Sequence, residues 1–301
     1  MSKIVVTGGA GFIGSHLTDK LVSLGHQVVV IDNLMLGKKE FVNKKAKFVE
    51  SDIRDYKTIS KYFKGVEVVF HLAADPRLQI SVEDPISTHE INVTGTLNVL
   101  TAAWKNKVKK VIFTSSGAVY GNVQAMPIKE DCSFLPLSPY GLHKLIGEKY
   151  CQLFSSLYGI ETVCLRYFNV YGARKTGQGS YPLVIPAFLQ LKKEGKPMSI
   201  VGTGKATRDY VHVSDVVDAN IAAWNSKLKN GDAINIGSGV ETSVNQIAKY
   251  IGGKSVRISD RSGEMKRAKA DISKAKKSLG WIPKVKLEVG IKDLKKEWGV
   301  E

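Results

Sequence analysis

Close behind the apolar run Ile4-Val5-Val6, the chain reads Thr7-Gly8-Gly9-Ala10-Gly11-Phe12-Ile13-Gly14-Ser15. This order of strand, glycine turn and helix start restricts the fold more than any other stretch. Glycines at 8, 11 and 14 allow a sharp turn and let the main chain approach a pyrophosphate, toward which a helix N-terminus directs its free N–H groups. A glycine triplet by itself is only a common turn. The next apolar run, Gln27-Val28-Val29-Val30-Ile31-Asp32, ends in an acid about 20 residues past the glycines, the spacing at which a carboxylate reaches the ribose hydroxyls of a dinucleotide. Asp32 would repel a 2′-phosphate, so NAD is favoured over NADP.

Strand-like runs at 3–7, 27–32, 47–50, 66–71, 109–115 and 161–167 alternate with helical periodicity at 12–24, 55–64, 85–106 and 139–158. Alternation of this kind predicts an α/β fold, a doubly wound parallel sheet with helices on both faces. Past about 168 the pattern loosens: Gly172 to Pro182 reads as a mobile loop and 183–194 as an amphipathic helix. Val211-His212-Val213 and Ala233-Ile234-Asn235-Ile236 then read as strands around a helix at 214–226, so part of the chain is expected to return to the first sheet. The predicted division is discontinuous, with 1–168 plus about 211–237 forming the nucleotide-binding domain. About 169–210 plus 238–301 would form a smaller C-terminal α/β substrate domain.

Bulk composition narrows the partners. No run is long enough to cross a membrane and no charged-then-apolar leader precedes the first strand, so a cytoplasmic protein without a membrane partner is expected. Cys132, Cys151 and Cys164 are odd in number and lack metal-ligand spacing, which favours buried thiols and no metal. The net charge of +16 would suit nucleic acid, but the lysine pairs are scattered along the chain without interleaved aromatics. A solvated basic surface is favoured, and no nucleic-acid partner is expected.

Chemistry concentrates at Tyr140 and Lys144, four apart at the start of a predicted helix, where both side chains share one face. An ammonium there would bias a phenol toward ionisation. Moving a tyrosine from pKa ~10 toward ~7 takes about 4 kcal/mol, a task shared between Lys144 and an oxidised nicotinamide. In isolation the pair would be an ordinary helix surface. Lys110-Val111-Ile112-Phe113-Thr114-Ser115-Ser116, however, ends in hydroxyls at the carboxyl end of a sheet strand, where open α/β sheets place their ligands. Ser116 could then hydrogen-bond a substrate. His71 and His212 lie in strand-like runs and read as structural imidazoles.

With these residues in place, the chain resembles the extended short-chain dehydrogenase/reductase family, and within it the UDP-glucose 4-epimerase-like NAD-dependent sugar-nucleotide epimerases. The likeness spans nearly the whole chain. It rests on the glycine turn, Asp32-Asn33-Leu34, Asp52-Ile53-Arg54-Asp55, His71-Leu72-Ala73-Ala74, Asn92-Val93-Thr94-Gly95-Thr96, Ser115-Ser116-Gly117-Ala118-Val119-Tyr120-Gly121, Tyr140 with Lys144, Arg166-Tyr167-Phe168-Asn169 and Arg208-Asp209-Tyr210. The resemblance implies a Rossmann domain that binds NAD through Gly8, Gly11, Phe12, Ile13, Gly14, Asp32, Asn33 and Ser115. Asp52 and Ile53 would frame the adenine, Leu72, Ala73 and Ala74 line the cofactor path, Asn92 support it and Tyr167 border the nicotinamide. It also implies that Asn169, Arg208 and Arg261 hold the substrate diphosphate, that Glu264 meets the nucleotide ribose, and that relatives pair as homodimers through helices matching 85–106 and 139–158.

The same resemblance narrows the reaction. Dehydratases of the superfamily carry an acid–base carboxyl pair where this chain has Gly117 and Ala118, and decarboxylating relatives carry a glutamate at Ala118. What remains is alcohol oxidation and its reversal by Tyr140, Lys144 and Ser116 with NAD, a UDP-sugar 4-epimerase acting through a transient 4-ketosugar. Ala268 matches the position that limits room beside the sugar C2 substituent, so N-acetyl sugars are expected to fit as well as UDP-glucose. Two departures, Leu183 near a usual asparagine and Pro76 at a usual lysine, leave the sugar open. A UDP-glucuronate 4-epimerase using Arg77, or a non-catalytic NAD-binding regulator, are the alternatives.

Overall fold

The computed structural model describes residues 1–175, 183–259 and 267–301. Its strands are β1 (Lys3–Thr7), β2 (Gln27–Asp32), β3 (Lys47–Glu50), β4 (Val68–His71), β5 (Lys110–Ser116), β6 (Glu161–Tyr167), β7 (Asn169–Tyr171), β8 (Met198–Val201), β9 (Thr207–His212), β10 (Asp232–Ile236), β11 (Glu241–Ser243) and β12 (Ser255–Ile258). The helices are α1 (Phe12–Ser23), α2 (Tyr56–Ser60), α3 (Leu78–Glu83), α4 (Pro85–His89), α5 (Gly95–Lys105), α6 (Pro139–Tyr158), α7 (Val184–Lys193), α8 (Val213–Asn225), α9 (Val244–Ile251), α10 (Ser273–Leu279) and α11 (Leu287–Trp298).

Seven strands form one parallel sheet in the order β3-β2-β1-β4-β5-β6-β10. Because the strands are covered on both faces, they read in sequence as unbroken apolar runs, and their side chains sort by parity. Ile4, Val6, Val28, Val30, Phe70 and Ile112 join one core layer, while Val5, Val29, Ile31, Val69, Val111 and Phe113 join the other. The chain leaves β1 toward β2 and β3 and returns to β4 on β1's other side. The reversal opens a crevice beyond the carboxyl ends of β1 and β4, the place where such sheets bind ligands.

The return of the chain to the first sheet is made by β10 alone, at the β6 edge; β9 lies in a separate three-stranded sheet between β11 and β7. A further apolar cluster, including Tyr171, Phe188, Ile200, Ile247 and Ile291, fills the space between that sheet and α7, α9 and α11. The helix expected over 85–106 is broken by a π-helical turn, Glu90–Thr94, between α4 and α5. Sequence periodicity missed this turn because one extra residue per turn shifts a pattern without erasing it. Of the thiols, Cys151 and Cys164 are buried and Cys132 is half-buried.

Helix α6 is delimited by local chemistry. Ser138 accepts the Gly141 N–H, Pro139 occupies the first turn, and Gly159 closes the helix at φ +71°. Gly147 sets its distance from the sheet, since a Cβ there would lie 2.4 Å from the Phe113 ring of β5. Gly147→Ala is therefore expected to push α6 off β5 and destabilise the protein by about 1–3 kcal/mol, read from urea unfolding. An unchanged unfolding midpoint would show that α6 is not held so closely.

Candidate active site

At the glycine turn, Gly8 has φ +73° and its notional Cβ would lie 2.7 Å from the Ala73 nitrogen; a Cβ on Gly14 would lie 2.1 Å from the Gly8 carbonyl oxygen. The turn is thus packed against the β4 exit on one side and against α1 on the other. Gly11 precedes α1 with no side-chain cap, so the first-turn N–H groups of Phe12, Ile13 and Gly14 stay available to an anion. Asp32, buried at the end of β2, accepts the Ala10 N–H at 3.0 Å on one oxygen and the Leu34 N–H at 2.8 Å on the other. Each oxygen keeps a lone pair for a ribose hydroxyl. Burial raises the Asp32 pKa, and the two backbone bonds offset this. Asn33 donates to Asp52 at 2.8 Å, and Arg54 grips the same carboxylate, which fixes the loop where adenine was expected. Buried Ile53 packs against Gly95 at the start of α5. The turn, the available N–H groups and the acid fit a dinucleotide.

The β4 exit, Leu72-Ala73-Ala74, is held by a buried relay. Thr96 Oγ1 gives its proton to the Asn92 carbonyl at 2.7 Å, so at 2.9 Å it must accept from His71 Nε2–H. His71 Nδ1 then accepts from Thr7 Oγ1 at 2.7 Å, and that oxygen receives the Ala73 N–H at 3.3 Å. Asn92, in the π-helical turn, clamps Asp75 through both main-chain groups at 2.7 and 2.9 Å. His71 is a neutral structural imidazole, and burial, aided by Lys144, lowers its pKa to about 3.

Tyr140 and Lys144 project from the first turns of α6 and Ser116 from the end of β5. A hydrogen bond with Ser116 favours the Tyr140 phenolate, but burial dominates and, with the Asp75 carboxylate, raises the phenol to about 12. The Lys144 ammonium, buried and lowered to about 8 by desolvation, donates to the Thr114 carbonyl at 2.8 Å and lies 5.9 Å from the centre of the Tyr140 ring.

Ser115 also departs from expectation. Strand alternation turns it to the α6 face with Phe113, where its hydroxyl donates to Glu148. Glu148 grips Arg166 at 2.8 and 2.7 Å; Arg166 also donates to Tyr120, and Tyr120 to Asn235. Sequence reading missed this network, although a lone arginine in the apolar run of β6 and an acid four residues past Lys144 were its signals. The Tyr167 hydroxyl is engaged by Asn220 and Thr114, so only its ring faces remain for a neighbour.

On the substrate side, Asn169 in β7 makes no side-chain hydrogen bond among the described residues, and Arg208 in β9 donates only to the adjacent Thr207 carbonyl at 2.9 Å. Asp209 does not pair with Arg208. It accepts from Ser238, Gly239 and Ala270, and with the Arg267–Glu241 pair it pins the segment that carries buried Ala268. Arg267 leads the groups that lower the Glu241 pKa to about 2. Arg261 and Glu264 lie outside the described residues, as does 176–182 of the expected loop. Among the described residues no helix is long and apolar enough to cross a membrane.

A switch-point crevice with a glycine turn, a strand-end acid and a Tyr–Lys–Ser cluster defines a nicotinamide-dinucleotide enzyme of the short-chain dehydrogenase type. Residues 4–237 match the family described as NAD dependent epimerase/dehydratase. The chain belongs to this family, as an NAD-dependent enzyme of the epimerase kind, and NAD is its cofactor. It is 46% identical over 297 residues to a putative UDP-glucose 4-epimerase of Methanocaldococcus jannaschii, covering 96% of each chain. The solved UDP-glucose 4-epimerase of Thermotoga maritima with UDP-glucose is 41% identical, with a TM-score of 0.94 over 99% of this chain and 98% of that one. The UDP-N-acetylglucosamine 4-epimerase of Methanobrevibacter ruminantium, in complex with UDP-N-acetylmuramic acid, is 34% identical, with a TM-score of 0.93 over 98% and 99%.

The His71 relay has a pH signature. Folded His71 stays neutral down to about 3, whereas the unfolded chain takes up that proton near 6.5, so its contribution to stability is lost as pH falls from 6.5 toward 3. Urea unfolding of the parent is expected to show declining stability between pH 6.5 and 4, and His71→Gln a shallower decline. Parallel slopes would mean that His71 does not set the acid response.

Proposed function

We propose that this chain inverts C4 of UDP-sugars, interconverting UDP-glucose with UDP-galactose and also their N-acetyl counterparts. The observation that carries this reading is the Tyr140–Ser116–Lys144 cluster at the end of β5, followed by Gly117 and Ala118 where elimination would need an acid. NAD, when bound, takes up and returns a hydride, and its positive ring supplies the field favouring the phenolate that Lys144 alone does not provide. Tyr140 removes the proton of the 4-hydroxyl and later gives it back to the 4-ketosugar. Ser116 Oγ already accepts the Ala118 N–H at 3.1 Å, so its own proton is directed outward, to the phenol oxygen or the sugar O4. Lys144 spends one of its three N–H donors on Thr114 and keeps two for a ribose.

Asn169, whose side chain makes no hydrogen bond among the described residues, and Arg208, which spends a single N–H on the Thr207 carbonyl, hold the diphosphate while the keto ring turns over. A planar guanidinium suits that task. Arg261 and Glu264 complete this set in the proposal. Buried Ala268, pinned through its neighbours, leaves room for an N-acetyl group. We assign the substrate part to about 169–210 plus 238–301, and a homodimer to α4–α5 and α6, which expose Ile86, Leu153 and Leu157.

Chromatography of UDP-galactose, UDP-N-acetylgalactosamine and UDP-galacturonate incubated with the enzyme separates the substrate readings. Conversion of the first two is expected. Arg77 is held bidentately on Asp75, at 2.9 and 2.7 Å, so a uronate would have to compete with that carboxylate, and conversion of the third alone would replace this reading. Tyr140→Phe is expected to abolish turnover and retain NAD; undiminished turnover would remove Tyr140 as the base. Ala268→Tyr should lose the acetylated sugar by tenfold or more in kcat/KM relative to the parent sugar, roughly 1.4 kcal/mol. Equal treatment of the two sugars would refute the gate.

A further inference from the structure

Phe12, His16 and Asp19 stand one helical turn apart on a single face of α1, the helix whose N-terminus meets the cofactor. The chain emerging from β7 docks on this face with three consecutive residues. His16 Nε2 is 3.0 Å from the Ala173 carbonyl, Arg174 donates to the Asp19 carboxylate at 2.7 Å, and the Lys175 ammonium sits 5.4 Å over the Phe12 ring. Arg174 adopts φ +64°, an uncommon conformation for arginine, and turns its guanidinium also toward Phe41. The substrate-side loop is thus strapped across the first turns of the nucleotide-binding helix.

Charge is unevenly matched along this strap. Asp19 is taken by Arg174 and by Asn43, and no carboxylate among the described residues lies within ion-pair distance of Lys175. Burial depresses the Lys175 pKa, and nothing among its described neighbours opposes that. Arg174 Nη1, one residue away, is buried without a hydrogen-bond partner among the described residues. Lys175 is half-buried, and an ammonium drawn even partly out of water is costly unless an anion compensates it. The anion that the neighbouring Gly11-Phe12-Ile13 turn is built to receive is a diphosphate.

We propose that Lys175 is a ligand of the cofactor's diphosphate, supplied from the substrate side, and that the Ala173–Lys175 strap keeps NAD in place between turnovers. The contact answers the demand of the reaction, which regenerates NAD in each cycle and gains nothing from releasing it. The inference rests on the cofactor assignment and not on the identity of the sugar.

The test is NAD content of the full-length protein as purified, together with calorimetric NAD affinity after the cofactor has been stripped. Lys175→Met keeps the apolar stem over Phe12 and removes the charge; it is expected to lose NAD on purification and to bind it about tenfold or more weakly. Lys175→Arg should stay within about threefold of the parent, and both variants should melt at the parent's temperature when stripped of NAD. A Met variant with the parent's NAD affinity would overturn the proposal. So would an Arg variant as weak as Met, because packing and not charge would then be what matters. A parent that binds NAD yet epimerises none of the sugars tested would defeat the 4-epimerase reading while leaving this test intact.

Discussion

Glu148 and Arg166 meet inside the molecule with their side chains only 2% and 3% exposed, joined by two charge-assisted hydrogen bonds. An ion pair so deeply buried gains little over an apolar pair of the same size, but removing one partner strands a charge and costs about 3–5 kcal/mol. Its consequence is positional. Glu148 belongs to α6 and Arg166 to β6, while Ser115, Tyr120 and Asn235 tie β5, the turn after it and β10 to the same two charges. With the Gly147–Phe113 contact setting the distance, the network fixes how α6 sits on the sheet. That in turn fixes where Tyr140 and Lys144 meet Ser116.

The electrostatics of the crevice follow from burial more than from charge pairing. Tyr140 is pushed up to about 12 and Lys144 down to about 8, both chiefly by desolvation, so the two groups are drawn toward neutrality. Around them stand groups prepared for anions and hydroxyls: orphan N–H groups on α1, spare lone pairs on Asp32, the Asn169 amide and the N–H groups that Arg208 does not spend on Thr207. A site of this kind is arranged for the charges that its ligands bring, and its catalytic pKa values belong to the loaded state.

The fold and the outline of the site were legible where local pattern carries them. Unbroken apolar strands, the glycine turn, the acid ending β2 and the i, i+4 spacing of Tyr140 and Lys144 are all short-range features, and the observed elements lie within a few residues of the expected ones. The misreadings are long-range. Ser115 was expected at the cofactor by resemblance, yet alternation along the strand turns its hydroxyl away from that of Ser116 and onto Glu148. The π-helical turn that seats Asn92 against Asp75 leaves no mark in a periodicity, and β9 looked like a strand of the main sheet because strand pattern does not name its partner.

The amino-acid order by itself therefore determined the class of fold, and it pointed to the glycine turn and to Tyr140, Lys144 and Ser116 as the candidate site, since each is written in spacing along one element or one turn. Only the tertiary structure decided which hydroxyls face the crevice, that burial outweighs the Ser116 hydrogen bond in holding the Tyr140 proton, and that Ala173–Lys175 lie across α1. Those outcomes depend on which surfaces meet and how much water they exclude, and contacts between residues far apart in the chain settle both.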